Sequence, residues 1–377
     1  MSDRLAFAAA HVAFHDSYAD APHSTVRPGR PDELTEHIDW ETTLALRERL
    51  DRLGFGIAEA MDTAQRFELG WSNARELIRR TSERELANGF VAGAGLDDLG
   101  DDAPRTRKLD AIIEQARYIQ DRGGAVVLLP LAFLTRTRAS ETEFFGFYRD
   151  LIDELDGPLC LHWLGEMFHP DLAGYFPGES FDAICGYAPE KVRGAKLSLL
   201  DAQREVELRR RLAEREQLLF TGDDFHFARL ILGGDAQGAE LASPIKTVRF
   251  GAREVPFGDF SHALLGVLDA VAAPMSRALA ALSSGRAADY LELALPCEQL
   301  GRALFEAPTQ HYKAGLAFLS WIAGNQPNPL LANHQQRCRD RAHYERVLEL
   351  AIAAEVIPDI DAARARWRSG EELLGSA

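Results

Sequence analysis

The 377-residue chain is poor in basic residues and cysteine, and it has no hydrophobic run long enough to cross a membrane. Its 42 Lys and Arg residues stand against 58 Asp and Glu residues, which gives a formal net charge of −16. Because a chain this acidic repels phosphate backbones, we expect no nucleic-acid partner. The longest apolar stretch, Ala125 to Leu134, has about half the length of a membrane span, so we expect no membrane partner either.

The four cysteines are scattered without paired spacing, which is typical of reduced thiols. The amino terminus resembles a signal peptide only superficially, because Asp3 spoils the basic segment and His11 interrupts the apolar run. Hydrophobic residues make up 46% of the chain, which is enough for a large core. We therefore expect a globular protein of the cytoplasm.

Short apolar runs alternate with longer amphipathic stretches through the first two thirds of the chain. Strand, crossover helix and parallel strand, repeated about eight times, are typical of a closed (β/α)8 barrel. An open doubly wound sheet is the alternative, but it usually carries a glycine-rich phosphate loop after its first strand, and the sequence has none. The predicted strands are Leu5–Phe14, Gly56–Met61, Gly89–Ala94, Ala125–Pro130, Pro158–Leu164, Val192–Leu197, Leu218–Thr221 and Gly238–Ala242.

From about Phe257 the pattern changes to consecutive helical stretches, with no strand predicted between them. These stretches are Ser261–Leu282, Arg286–Glu306, Gln310–Ile322 and Arg341–Ala354. The sequence therefore predicts an α/β fold with two parts. A TIM barrel is expected over residues 1–255, and an α-helical C-terminal extension over residues 256–377 is expected to pack on it.

Lysine is nearly absent, since only five of the 42 basic residues are lysines. One of them, Lys196, lies inside an apolar predicted strand, where it shares a face with Gly194 and Ser198. If that face is the barrel interior, loss of hydration lowers the pKa of the ammonium group and frees its lone pair to attack a carbonyl. The alternative is that Lys196 ends the strand and extends to solvent.

Several short motifs along the chain occur in one order with characteristic spacing. They are Ile38-Asp-Trp40, Leu53-Gly-Phe-Gly-Ile57, Lys196 on the sixth strand, Thr221-Gly-Asp-Asp224, Gly233-Gly-Asp-Ala-Gln-Gly-Ala239, the segment from His311 to Leu319, and Asn325-Gln-Pro-Asn-Pro-Leu330. Together they resemble the dihydrodipicolinate synthase/N-acetylneuraminate lyase family, over roughly residues 1–335. The resemblance implies a TIM barrel and a class I aldolase or lyase in which Lys196 forms a Schiff base.

The chain departs from this family at two places in the expected site. The family's GTTGE loop, which holds the carboxylate of a 2-oxo acid, is replaced by Met61-Asp-Thr-Ala-Gln65, where Asp62 would repel a carboxylate. The family's tyrosine on strand five corresponds to His162. Histidine can also relay protons, or it can be a core residue bonded to a backbone carbonyl. These changes are compatible with imine chemistry but put pyruvate as a substrate in question.

The resemblance implies roles for five residues. Lys196 would attack a small oxo compound such as a sugar-derived oxo acid, and His162 would move protons. Thr63 and Gln65 would orient the polar end of the substrate, and Asp224 would contact its hydroxyl groups. The reaction, a C–C cleavage or condensation or a dehydration, would need no bound cofactor. A homo-oligomer is expected, since family members are commonly dimers or tetramers.

Two other functions are open from the sequence. A metal-dependent sugar isomerase, epimerase or lyase on the same barrel would bind a divalent metal ion through Glu59, Glu166, His169 and Asp223. Acidic residues at strand ends more often cap helices or pair with arginines. The other alternative is a barrel that binds a metabolite without catalysis, because a fold alone does not determine a function.

Overall fold

A computed structural model describes residues 4–97 and 99–375 of the chain. Within these residues eight parallel strands close into a barrel in the order β1-β10-β7-β6-β5-β4-β3-β2, which confirms the predicted TIM barrel. The remaining two strands, β8 and β9, form an antiparallel hairpin. The strands are β1 (Ala6–Ala8), β2 (Gly56–Glu59), β3 (Phe90–Ala94), β4 (Ala125–Leu128), β5 (Leu159–Leu164), β6 (Val192–Ser198), β7 (Leu218–Thr221), β8 (Pro244–Phe250), β9 (Arg253–Gly258) and β10 (His262–Leu265).

Helices connect the barrel strands and dominate the C-terminal part. The α-helices are α1 (Pro31–Thr35), α2 (Trp40–Arg52), α3 (Arg66–Ser82), α4 (Arg105–Gln120), α5 (Ala132–Arg136), α6 (Glu141–Glu154), α7 (Ser180–Tyr187), α8 (Ala202–Glu214), α9 (Phe227–Leu232), α10 (Leu268–Ser283), α11 (Ala287–Leu304), α12 (Tyr312–Ile322), α13 (Arg341–Ala353) and α14 (Ile360–Gly370). Short 3₁₀ helices include Asp62–Ala64 and Ala332–Cys338. Within residues 4–97 and 99–375, no helix combines the length and the apolar character that crossing a bilayer requires.

Aspartate side chains start two of the helices that follow barrel strands. Asp39 accepts a hydrogen bond from the backbone N–H of Thr42 at the start of α2, and Asp201 accepts one from the N–H of Arg204 at the start of α8, each at 3.0 Å. Each cap satisfies a backbone N–H that the first helical turn leaves unpaired. Both helices therefore begin directly after an aspartate that caps them.

Apolar side chains fill the interior of the barrel. Phe7, Val91, Cys160 and Phe220, from four different strands, belong to one buried cluster. Because side chains alternate between the two faces of a strand, the residue two positions after Cys160 also points inward. The interior is therefore a packed core up to the carboxyl ends of the strands.

The hairpin β8–β9 closes the amino-terminal end of the barrel. It comes directly before β10, and its Val248, Phe250 and Val255 side chains join the interior cluster. The ring of Phe250 lies 5.5 Å from the ring of Phe220 in β7. With that end filled, functional groups are expected at the carboxyl ends of the strands, as in other TIM barrels.

The eighth barrel strand does not lie where the sequence predicts it. The predicted strand Gly238–Ala242 is wrong, because this segment is an irregular loop after α9. The barrel closes instead with His262–Leu265, inside a stretch predicted as helix. A short apolar strand directly before a helix continues the apolar pattern of that helix, so periodicity does not separate the two. The closing strand lies beyond residue 255, and the division into barrel and extension stays a prediction.

The helices from α10 to α14 share one apolar cluster with the first and last barrel strands. Met275, Leu300 and Phe318 of this cluster are fully or almost fully buried, as are Ala6 of β1 and Leu265 of β10. Isolated helices of this length are only marginally stable in water. The C-terminal helices are therefore stabilised mainly by burying their apolar side chains in this cluster. The arrangement brings α11 and α12 to the carboxyl ends of the strands.

Candidate active site

Lys196 lies near the end of β6 and points into the barrel. It pairs in register with His162 of β5 and with Phe220 of β7, a member of the interior cluster. Only 8% of Lys196 is exposed to solvent. The side chain of Lys196 therefore does not extend to solvent, contrary to the alternative prediction.

The amine of Lys196 differs from the other four lysine amines in its contacts. Lys108 and Lys191 donate hydrogen bonds to backbone carbonyls, and Lys246 and Lys313 donate to carboxylates. Lys196 Nζ makes no hydrogen bond and no ion pair with any of the residues that the structure describes. Burial therefore removes water from this amine without supplying a partner that would hold its proton.

Burial lowers the pKa of Lys196 to about 8, although the carboxylates of Asp224 and Asp62 act in the opposite direction. Desolvation disfavours the charged ammonium form, and nearby negative charges favour it. At pH 7 a pKa of about 8 leaves roughly a tenth of the molecules with a neutral amine, against less than a thousandth for an ordinary lysine. The site therefore supplies a nucleophilic amine at neutral pH.

The turn after β7 makes room for Lys196 and places a carboxyl group beside it. A Cβ atom on Gly222 would lie 2.8 Å from Lys196 Cε, so a larger residue does not fit there. Two residues later, Asp224 is 3% exposed and its Oδ1 accepts the N–H of Val267 at 2.9 Å. Burial raises the pKa of Asp224 to about 7, although the N–H of Val267 and the charge of Lys196 oppose it. This carboxyl group can therefore gain or lose a proton near neutral pH.

His162 is the neighbour of Lys196 on β5. Its Nε2 lies 3.2 Å from Ser198 Oγ, and its Nδ1 has no hydrogen-bonding partner among the described residues. The alternative of a core histidine bonded to a backbone carbonyl therefore does not hold. Burial, together with the charge of Lys196, keeps the pKa of His162 well below its usual value, so the ring is neutral. A neutral imidazole beside the amine can accept or donate a proton.

The segment after β2 meets the start of α12 at the mouth of the barrel. Thr63 Oγ1 lies 2.9 Å from the hydroxyl of Tyr312, and Asp62 Oδ1 accepts a hydrogen bond from Lys313 Nζ at 2.6 Å. Tyr312 and Lys313 are both 3% exposed. The sequence does not predict either as a site residue, although the scarcity of lysine distinguishes Lys313 as much as Lys196.

Gln65 has a different role from the predicted one. Its Oε1 accepts the N–H of Ala332 at 2.8 Å, and its Nε2 donates to the Ala332 carbonyl and to Gln335 Oε1. The side chain is fully buried. Both ends of the amide therefore hold the segment after α12 against the barrel, and Gln65 is not available to orient a substrate.

Three aromatic rings span the mouth of the barrel. Phe305 and Tyr312 stack with centroids 4.2 Å apart and pack on Gly266, directly after β10. Phe168, in the loop after β5, lies 6.3 Å from Phe305 and 6.2 Å from Tyr312. The strands β5 and β10 are three positions apart in the barrel order. The contacts between these rings thus reach across the carboxyl end of the barrel. The three rings therefore cover part of the carboxyl end of the barrel.

Two of the four residues suggested as metal ligands are engaged elsewhere. Glu59 points outward from β2, where its Oε1 accepts hydrogen bonds from Arg47 at 2.6 Å and from Thr81 at 2.9 Å. Asp223 accepts the backbone N–H of His226 and pairs with the His226 ring at 2.9 Å. Asp223 therefore fixes the turn before α9, one of the roles that acidic residues at strand ends commonly take.

The other two suggested ligands lie apart from these. Glu166 is exposed, and the ring of His169 packs edge-on against Phe67, with centroids 5.9 Å apart. Over residues 4–97 and 99–375, no three or more His, Cys, Asp or Glu side chains are grouped so that they could hold a metal ion. The proposed set of metal ligands is therefore wrong.

Comparison with known proteins places the sequence in a family. The sequence matches, over residues 1–375, the model of a family described as "Protein of unknown function (DUF993)". The chain belongs to the DUF993 family. Among curated proteins, none matches the sequence.

This DUF993 chain is similar to several solved structures. The dihydrodipicolinate synthase of Oceanobacillus iheyensis is 17% identical with a TM-score of 0.60, and the match covers 93% of this chain and 97% of that one. CdNal of Clostridium difficile, solved with mannosamine, is 12% identical with a TM-score of 0.60 and coverage of 93% and 99%. A variant of Sulfolobus solfataricus 2-keto-3-deoxygluconate aldolase is 12% identical with a TM-score of 0.57 and coverage of 88% and 97%. The resemblance that the motifs indicate is thereby confirmed at the level of the fold.

Proposed function

We propose that this chain is a class I lyase or aldolase in which Lys196 forms a Schiff base with a small oxo compound. The observation that carries the proposal is the state of the Lys196 amine. It is buried in the barrel interior, and within residues 4–97 and 99–375 nothing hydrogen-bonds or ion-pairs with it. The fold shared with proteins named as a synthase and an aldolase supports the same conclusion.

The proposed reaction begins with the neutral amine. Lys196 Nζ attacks the carbonyl carbon, a C–N bond forms, and the π electrons of the carbonyl pass to its oxygen. A proton moves from nitrogen to oxygen, and loss of one water molecule leaves a protonated imine. The imine withdraws electrons from the neighbouring bonds, so that a C–C bond breaks or forms, or water is eliminated.

His162 is proposed to move these protons. Its ring is neutral, lies beside Lys196 in register, and has one nitrogen without a partner in the described part of the chain. Thr63 is proposed to orient the substrate, and Asp224 to contact its hydroxyl groups, because both side chains lie at the mouth. The absence of a bound cofactor, the homo-oligomer and the cytoplasmic location stay predictions.

Imine formation is expected to depend on pH with a midpoint near pH 8. Only the deprotonated amine attacks a carbonyl, so the rate rises with pH through the pKa of Lys196 and then levels off. The measurement is the rate at which cyanoborohydride and an oxo compound add mass to the protein between pH 6 and pH 10.5. A rate that still climbs steeply above pH 10, as for an ordinary lysine, would contradict the proposed environment of the amine.

A further inference from the structure

Two side-chain pairs lie at the mouth of the barrel, where the turn after β2 meets α12. The first is the ion pair of Asp62 with Lys313, whose side chains are 19% and 4% exposed. The second is the hydrogen bond between Thr63 and the buried hydroxyl of Tyr312. We call these four residues the β2–α12 subsite.

A continuous chain of contacts joins the subsite to the reactive amine. Gly222 packs on the Lys196 side chain, and Asp224, two residues later, accepts the N–H of Val267. The residue before Val267 is Gly266, on which both Thr63 and Tyr312 pack. The subsite therefore lies on the same rim of the barrel as the amine, across β7 and β10.

Among the described residues of this rim, the cationic side chains other than Lys196 are paired with carboxylates. Lys313 is neutralised by Asp62, and the cationic form of His226 is neutralised by Asp223. The carboxylates of Asp62 and Asp224 both raise the pKa of Lys196. The carboxylate of a 2-oxo acid, which lies next to the carbonyl, would face two acidic side chains in a poorly hydrated site, where repulsion is strong. Thr63 and Tyr312 supply hydroxyl groups, which bind other hydroxyl groups well.

We propose that the β2–α12 subsite selects an uncharged hydroxy ketone or hydroxy aldehyde and rejects 2-oxo acids. The hydroxyl next to the carbonyl would bond to Thr63 and Tyr312, and Asp62 would exclude a carboxylate from the same place. This inference rests on the proposed Schiff base at Lys196 and narrows its substrate class.

Hydroxyacetone and pyruvate form a matched pair of probes for this selection. Both are three-carbon methyl ketones, and they differ in whether the carbonyl bears a hydroxymethyl group or a carboxylate. With cyanoborohydride at pH 8, we expect the wild-type chain to gain the hydroxyacetone label on Lys196 at least about tenfold faster than the pyruvate label. Tenfold corresponds to about 1.4 kcal/mol, which is modest for charge repulsion at a buried site.

Pyruvate labelling at an equal or higher rate would overturn the inference while leaving the Schiff base intact. No label on Lys196 from either compound would instead contradict the proposed function, and this inference with it. The two failures are therefore distinguishable in one mass spectrum of the peptide that contains Lys196.

The variant Asp62→Asn tests which residue makes the selection. It removes the repelling charge and frees Lys313 as a cation, so the preference for hydroxyacetone over pyruvate is expected to fall at least about tenfold. Asp235→Asn is the matched control, because Asp235 is an exposed carboxylate with 82% of its side chain accessible. An unchanged ratio in Asp62→Asn, or an equal change in Asp235→Asn, would contradict the role of Asp62.

Discussion

Replacement of Lys196 by methionine is expected to lower turnover of any accepted oxo compound by at least about a thousandfold. Loss of the nucleophile in covalent catalysis commonly costs this much or more. Methionine has a similar length and volume and no charge, so the barrel interior, where Lys196 makes no hydrogen bond with the described residues, should stay intact. Turnover and the thermal unfolding midpoint are measured on the same preparation.

Lys246→Met is the control for this experiment. Lys246 lies on the hairpin at the opposite end of the barrel, with 62% of its side chain exposed and an ion pair to Glu216. Its replacement should leave turnover unchanged. If Lys196→Met kept a tenth or more of the wild-type rate, the covalent mechanism would be wrong. A wild-type chain that is stabilised by oxo compounds but converts none of them would match the alternative of a metabolite-binding barrel.

Replacement of Arg47 by methionine is expected to destabilise the fold by about 3–5 kcal/mol. Arg47 and Glu59 are both fully buried, and the guanidinium group also donates to the carbonyls of Ala10, His11 and Thr43. Removing the cation leaves the Glu59 carboxylate buried without a compensating charge, which is far more costly than loss of an exposed pair. The free energy of unfolding is measured from urea titrations, with the slope checked for constancy.

Two further variants separate this cause from simple loss of packing. Glu59→Gln in the Arg47→Met background removes the uncompensated charge, so it should recover part of the lost stability. Arg30→Met breaks an ion pair on the surface, where the Arg30 and Asp32 side chains are 68% and 72% exposed, and the unfolding midpoint should not change. A double variant less stable than Arg47→Met would contradict this explanation.

Much of the fold could be predicted from local sequence patterns. The strands β2 to β7 lie within or close to their predicted bounds, because strands buried on both faces read as continuous apolar runs between helical stretches. The last strand could not be predicted in this way. The four residues of β10 come shortly before α10, so they continue the apolar pattern of that helix. The hairpin β8–β9 also lies between β10 and the motif that indicated a strand at Gly238–Ala242.

The candidate site was predictable only in part, and the reason is the distance between contacting residues along the chain. Lys196 follows from strand alternation and from the scarcity of lysine, whereas His162 follows from its correspondence to the tyrosine on strand five of the family that the chain resembles. The residues that contact the turn after β2 could not be predicted from local patterns, because Asp62 and Lys313 are 251 residues apart in the chain. The resemblance places Gln65 in the loop that binds substrate in the family, and Glu59 lies on predicted strand two as a suggested metal ligand. In the structure their side chains bond instead to the C-terminal segment and to α2.

The central claim is that one amine, that of Lys196, is the reactive one. It is tested most directly by peptide mapping after reductive trapping with hydroxyacetone at pH 8, with all five lysines monitored. The account predicts that the mass increment lies on the peptide containing Lys196 and that Lys196→Met abolishes it. Labelling confined to Lys313 or to the surface lysines, with Lys196 unmodified, would contradict it.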